Sequence, residues 1–195
     1  DTPPITPEHI PPGLMGTINS AEVTAIVVDL AGAALEQAES VLGIFDAREA
    51  VLRSVPRNRL DPANPRERSA VMVATKADLV GPGDVEALGE LYGERIEILP
   101  VSATTGEGLE ALGRRFWELL AVIRVYTKEP GRPADKDKPY TLPVGSTLED
   151  LAREIHRDLP ELMKFARIWG DDRLDGQRVH RSEVMQDKDV VEIHQ

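Results

Sequence analysis

Short runs of β-branched and apolar residues alternate with helical stretches through the first 120 residues, and this alternation constrains the fold most strongly. The apolar runs are VTAIVVDL (23–30), AVMVAT (70–75) and RIEILPVSA (95–103). Helical spacing occupies 31–52, 84–93 and 109–120, and the Arg- and Pro-rich segment 53–69 is predicted to be a loop. Strands that alternate with helices form βαβ units, so the pattern predicts a parallel sheet with helices on both faces.

The pattern changes near residue 120. AVIRVYTK (121–128) and PYTLPVG (139–145) are predicted to be paired strands, and FARIWG (165–170) and DVVEIH (189–194) further strands. Between them, Ser146 and Glu149 have the spacing of a capping box at the start of a helix. Net charge is −9 over residues 1–120 and −2 over residues 121–195. We therefore predict two domains, 1–120 and 121–195, the second a small α+β unit.

Composition excludes several classes of protein. The chain has no cysteine, which excludes disulfides and thiolate metal sites and favours a reducing compartment such as the cytoplasm. No apolar run is long enough to span a membrane, and a net charge of −11 disfavours a protein that coats nucleic acid through bulk charge. Neither a membrane nor DNA is an expected partner. The four histidines lack metal-ligand spacing.

Polar residues follow two of the predicted strands, where ligands of open parallel sheets bind. Asp78, in TKAD (75–78), could accept both the N1–H and N2–H₂ donors of guanine, whereas adenine would leave this carboxylate unpaired. The aliphatic stem of Lys76 could lie along the purine while its ammonium stays in water. The backbone N–H of Ala103, in SATTGEGL (102–109), could donate to guanine O6. These residues predict a guanine pocket.

The two segments resemble the base-recognition motifs of GTPases. TKAD is similar to Asn-Lys-x-Asp with Thr75 in place of Asn, and SATTGEGL, beginning at Ser102, resembles the second guanine motif of that family. The resemblance implies that Thr75, Lys76, Asp78, Ser102 and Ala103 bind GTP or GDP. It gives no residue of this chain a convincing role as catalytic base, so no catalytic residue is assigned.

The start of the chain resembles a third GTPase motif, Asp-x-x-Gly. In DTPP, Asp1 occupies the position that reaches Mg²⁺ through water, and Pro4 replaces the glycine whose N–H contacts the γ-phosphate. Proline has no N–H, so nucleotide sensing or hydrolysis is expected to be altered. The phosphate loop, Gly-x₄-Gly-Lys-Ser/Thr, is expected upstream of Asp1. The first domain is therefore expected to be a partial GTPase sheet that lacks the half holding phosphate.

Residues 121–195 resemble the TGS domain, a ubiquitin-like β-grasp module. RVYTK, the LEDLA–IH helix, FARIWG and DVVEIH occur in its order, and the match is closest to the developmentally regulated GTP-binding proteins within the Obg-like GTPases. This resemblance implies contact with the ribosome, ribosomal RNA or tRNA. The cations near the first hairpin are the candidate contacts: Arg124, Lys128, Arg132, Lys136 and Lys138. A solvated charged loop remains the alternative for these residues.

The sequence is compatible with two functions. In the first, the chain belongs to a cytoplasmic GTPase switch that acts near the ribosome, and hydrolysis belongs to the intact protein rather than to this chain. In the second, it is a non-hydrolysing adaptor that binds RNA or the ribosome and keeps a vestigial nucleotide fold. Pro4 and the missing phosphate loop favour the adaptor, whereas the intact TKAD and SATTGEGL segments favour the switch.

Overall fold

The chain divides into two compact units, Asp1–Leu120 and Ala121–Gln195. A computed structural model describes residues 5–6 and 10–195. The helices of the first unit are α1 Leu14–Ser20, α2 Ala34–Asp46, α3 Pro82–Tyr92 and α4 Leu109–Leu120. Its strands are β1 Thr24–Asp29, β2 Val51–Arg53, β3 Glu67–Thr75 and β4 Ile98–Pro100.

Strands β1–β4 pair in parallel, and β3 is the strand to which the other three pair. β1 lies beside its second half, with Thr24 opposite Ala70 and Asp29 opposite Thr75. β2 pairs with residues 67–69 and β4 with residues 72–74. The parallel sheet predicted for this part of the chain is confirmed.

Strand β3 is buried from Ser69 to Ala74, as expected for a parallel strand covered on both faces. On one face Met72 packs in a cluster with Leu42 and Phe45 of α2. On the other face Val73 packs with Leu119 of α4. The central strand, which is the most apolar segment of the unit, is therefore fixed in register by both layers of helix.

The helix predicted over 31–52 is shorter than its sequence pattern indicates. It ends at Asp46, because Glu49 adopts a left-handed conformation (φ 55°) and Ala50 N–H donates back to Phe45 O at 3.0 Å. The chain then enters β2. Strand β3 also begins at Glu67, inside the segment predicted to be a loop, and Arg57–Arg59 form a 3₁₀ turn.

The second unit contains a mixed five-stranded sheet with two helices. Its elements are β5 Val122–Thr127, β6 Tyr140–Pro143, α5 Leu148–Ile155, α6 Leu159–Leu162, β7 Phe165–Trp169, β8 Gln177–Val179 and β9 Asp189–His194. The strand order is β6-β5-β9-β7-β8, with β5 and β9 parallel and the other pairs antiparallel. Leu148 and Leu151 of α5 pack against the inner side of this sheet, on Val125 and Ile168.

The start of α5 lies one residue later than the Ser146–Glu149 capping box predicts. Thr147 is the N-cap and Asp150 its partner: Asp150 N–H donates to Thr147 Oγ1, and Thr147 N–H donates to Asp150 Oδ2 at 2.8 Å. The shift follows from tertiary pairing, because Ser146 O accepts a hydrogen bond from Met185 N–H at 2.9 Å. The capping-box assignment to Ser146 and Glu149 was therefore wrong by one position.

Candidate functional site

The TKAD and SATTGEGL turns leave the same end of neighbouring strands. TKAD follows β3 and SATTGEGL follows β4, and these strands are parallel. Val101 N–H donates to Ala74 O at 2.8 Å, and Ala77 N–H donates to Val101 O at 3.1 Å. The pairing of β3 and β4 thus continues beyond the sheet into the turns and holds the two segments side by side.

Thr75 uses its side chain to tie β3 to β1. Its Oγ1 donates to Val28 O at 3.0 Å, and its carbonyl oxygen accepts from Leu30 N–H at 3.1 Å. The residue is half-buried. Because the hydroxyl proton is donated within the protein, the role of Thr75 in this structure is to fix the end of the strand.

Lys76 lies across the strand ends toward β1. It has a left-handed backbone (φ 61°), and its Nζ lies 2.5 Å from Asp29 Oδ2. Asp29 ends β1, where its Oδ1 accepts from Ala31 N–H at 3.0 Å and its own N–H donates to Gln37 Oε1 at 2.9 Å. The hydrogen bond from Lys76 is the main cause that lowers the pKa of the Asp29 carboxyl. This ion pair fixes the direction of the Lys76 side chain.

Asp29 is a site residue that the sequence analysis missed. Its signal is present in VTAIVVDL, where an aspartate ends an apolar strand just as Thr75 does in the neighbouring strand. Its position opposite Thr75 depends on the pairing of β1 with β3, which neither motif shows.

Asp78 offers a carboxylate to the solvent beside this pair. It lies in a one-turn 3₁₀ segment, Ala77–Leu79, closed by Leu79 N–H donating to Lys76 O at 3.0 Å. The side chain is exposed, and within residues 5–6 and 10–195 it has neither a hydrogen bond nor an ion pair. Its four lone-pair sites are therefore available to a ligand.

Ser102 organises the neighbouring turn from inside the protein. It is fully buried, its Oγ accepts from Thr105 N–H at 3.1 Å, and its own N–H donates to Glu107 O at 2.9 Å. Gly106 N–H donates to Ser102 O at 2.9 Å. The next residue, Ala103, is exposed, and no acceptor for its N–H is found in the described part of the chain. The turn thus presents a free backbone donor at Ala103.

The glycines of SATTGEGL are required by the backbone. Gly106 and Gly108 both have positive φ, 83° and 73°. A Cβ on Gly108 would lie 2.3 Å from Pro100 O, whereas a Cβ on Gly106 would meet no atom within 4 Å. Because Gly108 has no Cβ, the loop can pack closely against the end of β4. This close packing determines the positions of Ser102 and Ala103.

The other candidate residues divide into three groups. Asp1 and Pro4, predicted to contact Mg²⁺ and phosphate, lie outside the described residues. Arg124, Lys128 and Arg132 have carboxylate partners in Asp187, Glu192 and Glu129, at 2.6, 3.0 and 2.9 Å respectively. Lys136 and Lys138 are exposed and form no ion pair with any residue that the structure describes. Contact of these five cations with RNA stays a prediction.

Residues 5–6 and 10–195 contain neither a candidate metal cluster nor a helix suited to a membrane. No group of three or more His, Asp and Glu side chains in that part of the chain is placed to hold a metal ion. Within the same residues, no helix has the length and apolar character needed to cross a bilayer.

Comparisons with known proteins agree with the resemblance. The model of the TGS domain matches residues 123–195. A GTP-binding protein of Halobacterium salinarum is 29% identical over 152 residues, covering 77% of this chain and 38% of the relative. Developmentally-regulated G-protein 1 of Arabidopsis thaliana is 34% identical over 127 residues, covering 63% and 31%. The chain thus spans about a third of the length of the curated relatives it matches.

A solved structure supports the fold. The YchF GTPase of Schizosaccharomyces pombe matches with a TM-score of 0.58 at 11% identity, covering 94% of this chain and 75% of the solved one. At this identity the match supports the fold alone. Together with the sequence matches it shows that residues 123–195 form a TGS domain and that the chain is a homologue of the developmentally regulated GTP-binding proteins.

Proposed function

We propose that this chain recognises guanine nucleotides through Asp78 and the backbone N–H of Ala103. The observation that carries the proposal is the hydrogen bond from Ala77 N–H to Val101 O, which joins the two turns. It places an exposed carboxylate and an exposed N–H, neither with a partner in the described chain, on adjoining turns. The homologues are GTP-binding proteins, which agrees with this use.

The two groups complement one edge of guanine. The carboxylate accepts the N1–H and N2–H₂ protons together, and the Ala103 N–H donates to O6. Adenine has an unprotonated N1 and carries an amino group where guanine has O6, so it would face the carboxylate with an acceptor and the N–H with a donor. Leaving these two groups unpaired costs about 1–3 kcal/mol each, or about 2–6 kcal/mol together, which is a preference for guanine of about 30-fold or more.

Lys76 and Asp29 complete the pocket in this proposal. The four-carbon stem of Lys76 runs from β3 toward Asp29 at the end of β1, because its ammonium is held by that carboxylate. A purine lying on this stem buries apolar surface while the charge keeps its partner. Thr75 and Ser102 support the pocket by fixing the two strand ends.

In the same proposal the nucleotide site serves a GTPase switch. Phosphate binding and hydrolysis would belong to the whole protein, and Asp1 would contribute to Mg²⁺ through water while Pro4 offers no N–H to the γ-phosphate. Mg²⁺ is assigned to no other residue. The rival reading, a non-hydrolysing adaptor with a vestigial nucleotide fold, predicts no guanine binding by the turns.

A second function, contact with RNA, the ribosome or tRNA, is proposed for the TGS domain. The observation that favours it is a set of exposed cations in residues 121–195 without ion pairs in the described chain, in a protein whose net charge is −11. Lys136 and Lys138 belong to this set, as do Lys164, Arg167 and Arg178. Cations that no carboxylate neutralises are the ones available to phosphates.

The guanine proposal is tested by changing the specificity of Asp78. For the complete gene product, affinities for GDP, ADP and xanthosine diphosphate are measured by competition with a fluorescent GDP analogue. We expect wild type to prefer GDP over ADP at least tenfold. Asp78→Asn should lose about tenfold or more for GDP and gain for the xanthine nucleotide, because the Asn amide donates to its C2 carbonyl.

Asp172→Asn is the matched control, since it removes another exposed carboxylate and should leave all three affinities unchanged. Equal GDP affinity in wild type and Asp78→Asn would overturn the assignment of Asp78. Absence of guanine-nucleotide binding by the complete product would favour the adaptor.

A further inference from the structure

A cavity of about 470 Å³ lies beside β7 and β8, outside the site described above. Its wall includes buried core residues, Leu148 and Val179, and four basic side chains stand around it: Lys164, Arg178, His180 and Arg181. The volume lies in the range of about 300–1,000 Å³ typical of small-molecule pockets. An apolar wall combined with a cationic rim suits a ligand unit that is flat and apolar at one end and anionic at the other.

The charge of this cavity is not neutralised by its surroundings. Among residues 5–6 and 10–195, no Asp or Glu lines it. Two glutamates are held close to the cavity by backbone hydrogen bonds, Glu149 with Arg181 and Glu183 with Leu148. Their carboxylates pair with other residues, Glu149 with Arg153 and Glu183 with Arg173. Lys164 and Arg178 are exposed and form no ion pair within the described chain. A local positive site in a chain of net charge −11 is an electrostatic match for phosphates.

Flat side chains extend from the cavity across the outer side of the sheet. The Arg178 guanidinium lies 4.3 Å from the centre of the Phe165 ring, and that ring stacks on His194 with centroids 4.2 Å apart and planes at 13°. Arg167, directly opposite Arg178 in the β7–β8 register, is exposed. Arginine planes and aromatic rings are the groups on which unstacked bases lie.

We propose that this cavity and the Arg178–Phe165–His194 row bind single-stranded RNA. One base enters the cavity, its flanking phosphates contact Lys164 and Arg178, and a neighbouring base stacks on the row. A duplex fits less well, because its bases are already paired and stacked. The inference deepens the RNA contact proposed above and rests on it, but it places that contact on different residues from the first hairpin, where three of the five cations are already paired with carboxylates.

The experiment uses the whole 195-residue chain and a fluorescein-labelled twelve-nucleotide uridine RNA, with binding followed by fluorescence anisotropy at several salt concentrations. The test variant is Lys164→Gln/Arg178→Gln, and the control is Arg114→Gln/Arg157→Gln, which removes the same charge from two exposed arginines that pair with Glu110 and Asp158 and do not line the cavity. We expect the test variant to weaken binding at least tenfold and the control less than twofold. The slope of log K against log salt should fall by about 1.4 in the test variant, for two lost phosphate contacts.

A third variant separates stacking from charge. Phe165→Leu should weaken binding about fivefold or more without changing the salt slope, because it removes a ring and no charge. Circular dichroism and thermal unfolding of each variant show whether its fold is retained, and a variant that unfolds is replaced by Arg178→Gln alone, whose side chain is exposed.

Several outcomes would overturn the proposal. They are a control variant that loses as much as the test variant, a duplex of the same length that binds as tightly as the single strand, and no RNA binding by wild type. Competition by uridine monophosphate at the oligonucleotide's own concentration would identify a free-nucleotide site instead, and also overturns it. The test variant should bind guanine nucleotide with the same affinity as wild type. A negative RNA result therefore does not contradict the guanine proposal for Asp78, and a negative guanine result does not contradict the RNA proposal.

Discussion

Asp29 determines what Lys76 can do at the candidate site. An unrestrained lysine stem loses rotamer entropy when a ligand covers it, at a cost of about 1.5–2 kcal/mol. Here the ammonium is already held by Asp29, which is itself fixed by Ala31 N–H and, through its own N–H, by Gln37. Part of that entropy is therefore lost on folding rather than on binding. The pair pre-organises the stem for a flat ligand.

Asp150 gives the second unit a specific dependence on acid. The N–H of Thr147, and then its hydroxyl, donate to Asp150 and lower the pKa of that carboxyl in the folded protein below its ordinary value of 3.8. A lowered folded-state pKa stabilises the fold above the unfolded-state pKa, and this contribution disappears as pH falls below about 4 through the folded-state value. We predict that Asp150→Asn reduces the loss of stability between pH 7 and pH 3.

The measurement is denaturant unfolding followed by Trp169 fluorescence in a Trp117→Phe background, so that one tryptophan in the second unit is observed. At pH 7 the Asp150→Asn change should cost about 0.5–2 kcal/mol, the usual value of a helix cap. Glu154→Gln, which removes an exposed carboxylate from the same helix, should leave the acid dependence unchanged. An equal response of both variants would show that the capping interaction is not its source.

Among the single helices and strands, the sequence predicted those with a regular apolar pattern or a clear signal at their ends. Helix α4 occupies the predicted range 109–120, because its apolar spacing is regular and Gly108 precedes it. Strands β2 and β8 have three residues each and were not predicted, because runs that short carry no periodicity and are stabilised by pairing with distant segments. Asp29 lies opposite Thr75 because of the register between β1 and β3, and no local sequence pattern predicts that register.

The SATTGEGL loop offers a direct test of close backbone approach. Gly106 and Gly108 have similar positive φ, but only Gly108 would bring a Cβ against another atom, Pro100 O, at 2.3 Å. We predict that Gly106→Ala costs about 1–2 kcal/mol, for left-handed strain alone. Gly108→Ala should cost clearly more, because the loop must also move away from the end of β4.

Unfolding followed by Trp117 fluorescence in a Trp169→Phe background gives the two free energies. The Gly106→Ala variant is the matched control, since it has the same substitution and the same strain without the collision. We also expect the Gly108→Ala variant to bind guanine nucleotide more weakly, because displacement of the loop moves the Ala103 N–H. Equal costs for the two substitutions would mean that the approach of Gly108 to Pro100 does not constrain the loop.

At the scale of the whole molecule, each unit has a core of its own. The clusters of buried apolar residues on the two faces of β3 come from residues 1–120, and the cluster beneath the second sheet comes from residues 121–195. The second unit also buries a charged pair, Arg173 with Asp189, whose side chains are 9% and 1% exposed. The change in charge balance near residue 120 was visible in the sequence, whereas this buried pair was not, since it joins two loop-flanking positions 16 residues apart.

We predict that Arg173→Ala destabilises the second unit selectively. It would leave Asp189, which accepts from Arg173 Nη2 at 3.0 Å and from Gln186 N–H at 2.8 Å, buried without its cation. Removing one partner of a buried pair costs about 3–5 kcal/mol. A domain of this size has about 4–11 kcal/mol in total, so Trp169 fluorescence should report unfolding at a much lower denaturant concentration. Trp117 fluorescence should report an unchanged transition if the two cores unfold separately.

Arg153→Ala, at an exposed pair on α5, is the matched control and should cost less than about 1 kcal/mol. A simultaneous shift of both tryptophan transitions would instead mean that the two units unfold as one cooperative structure.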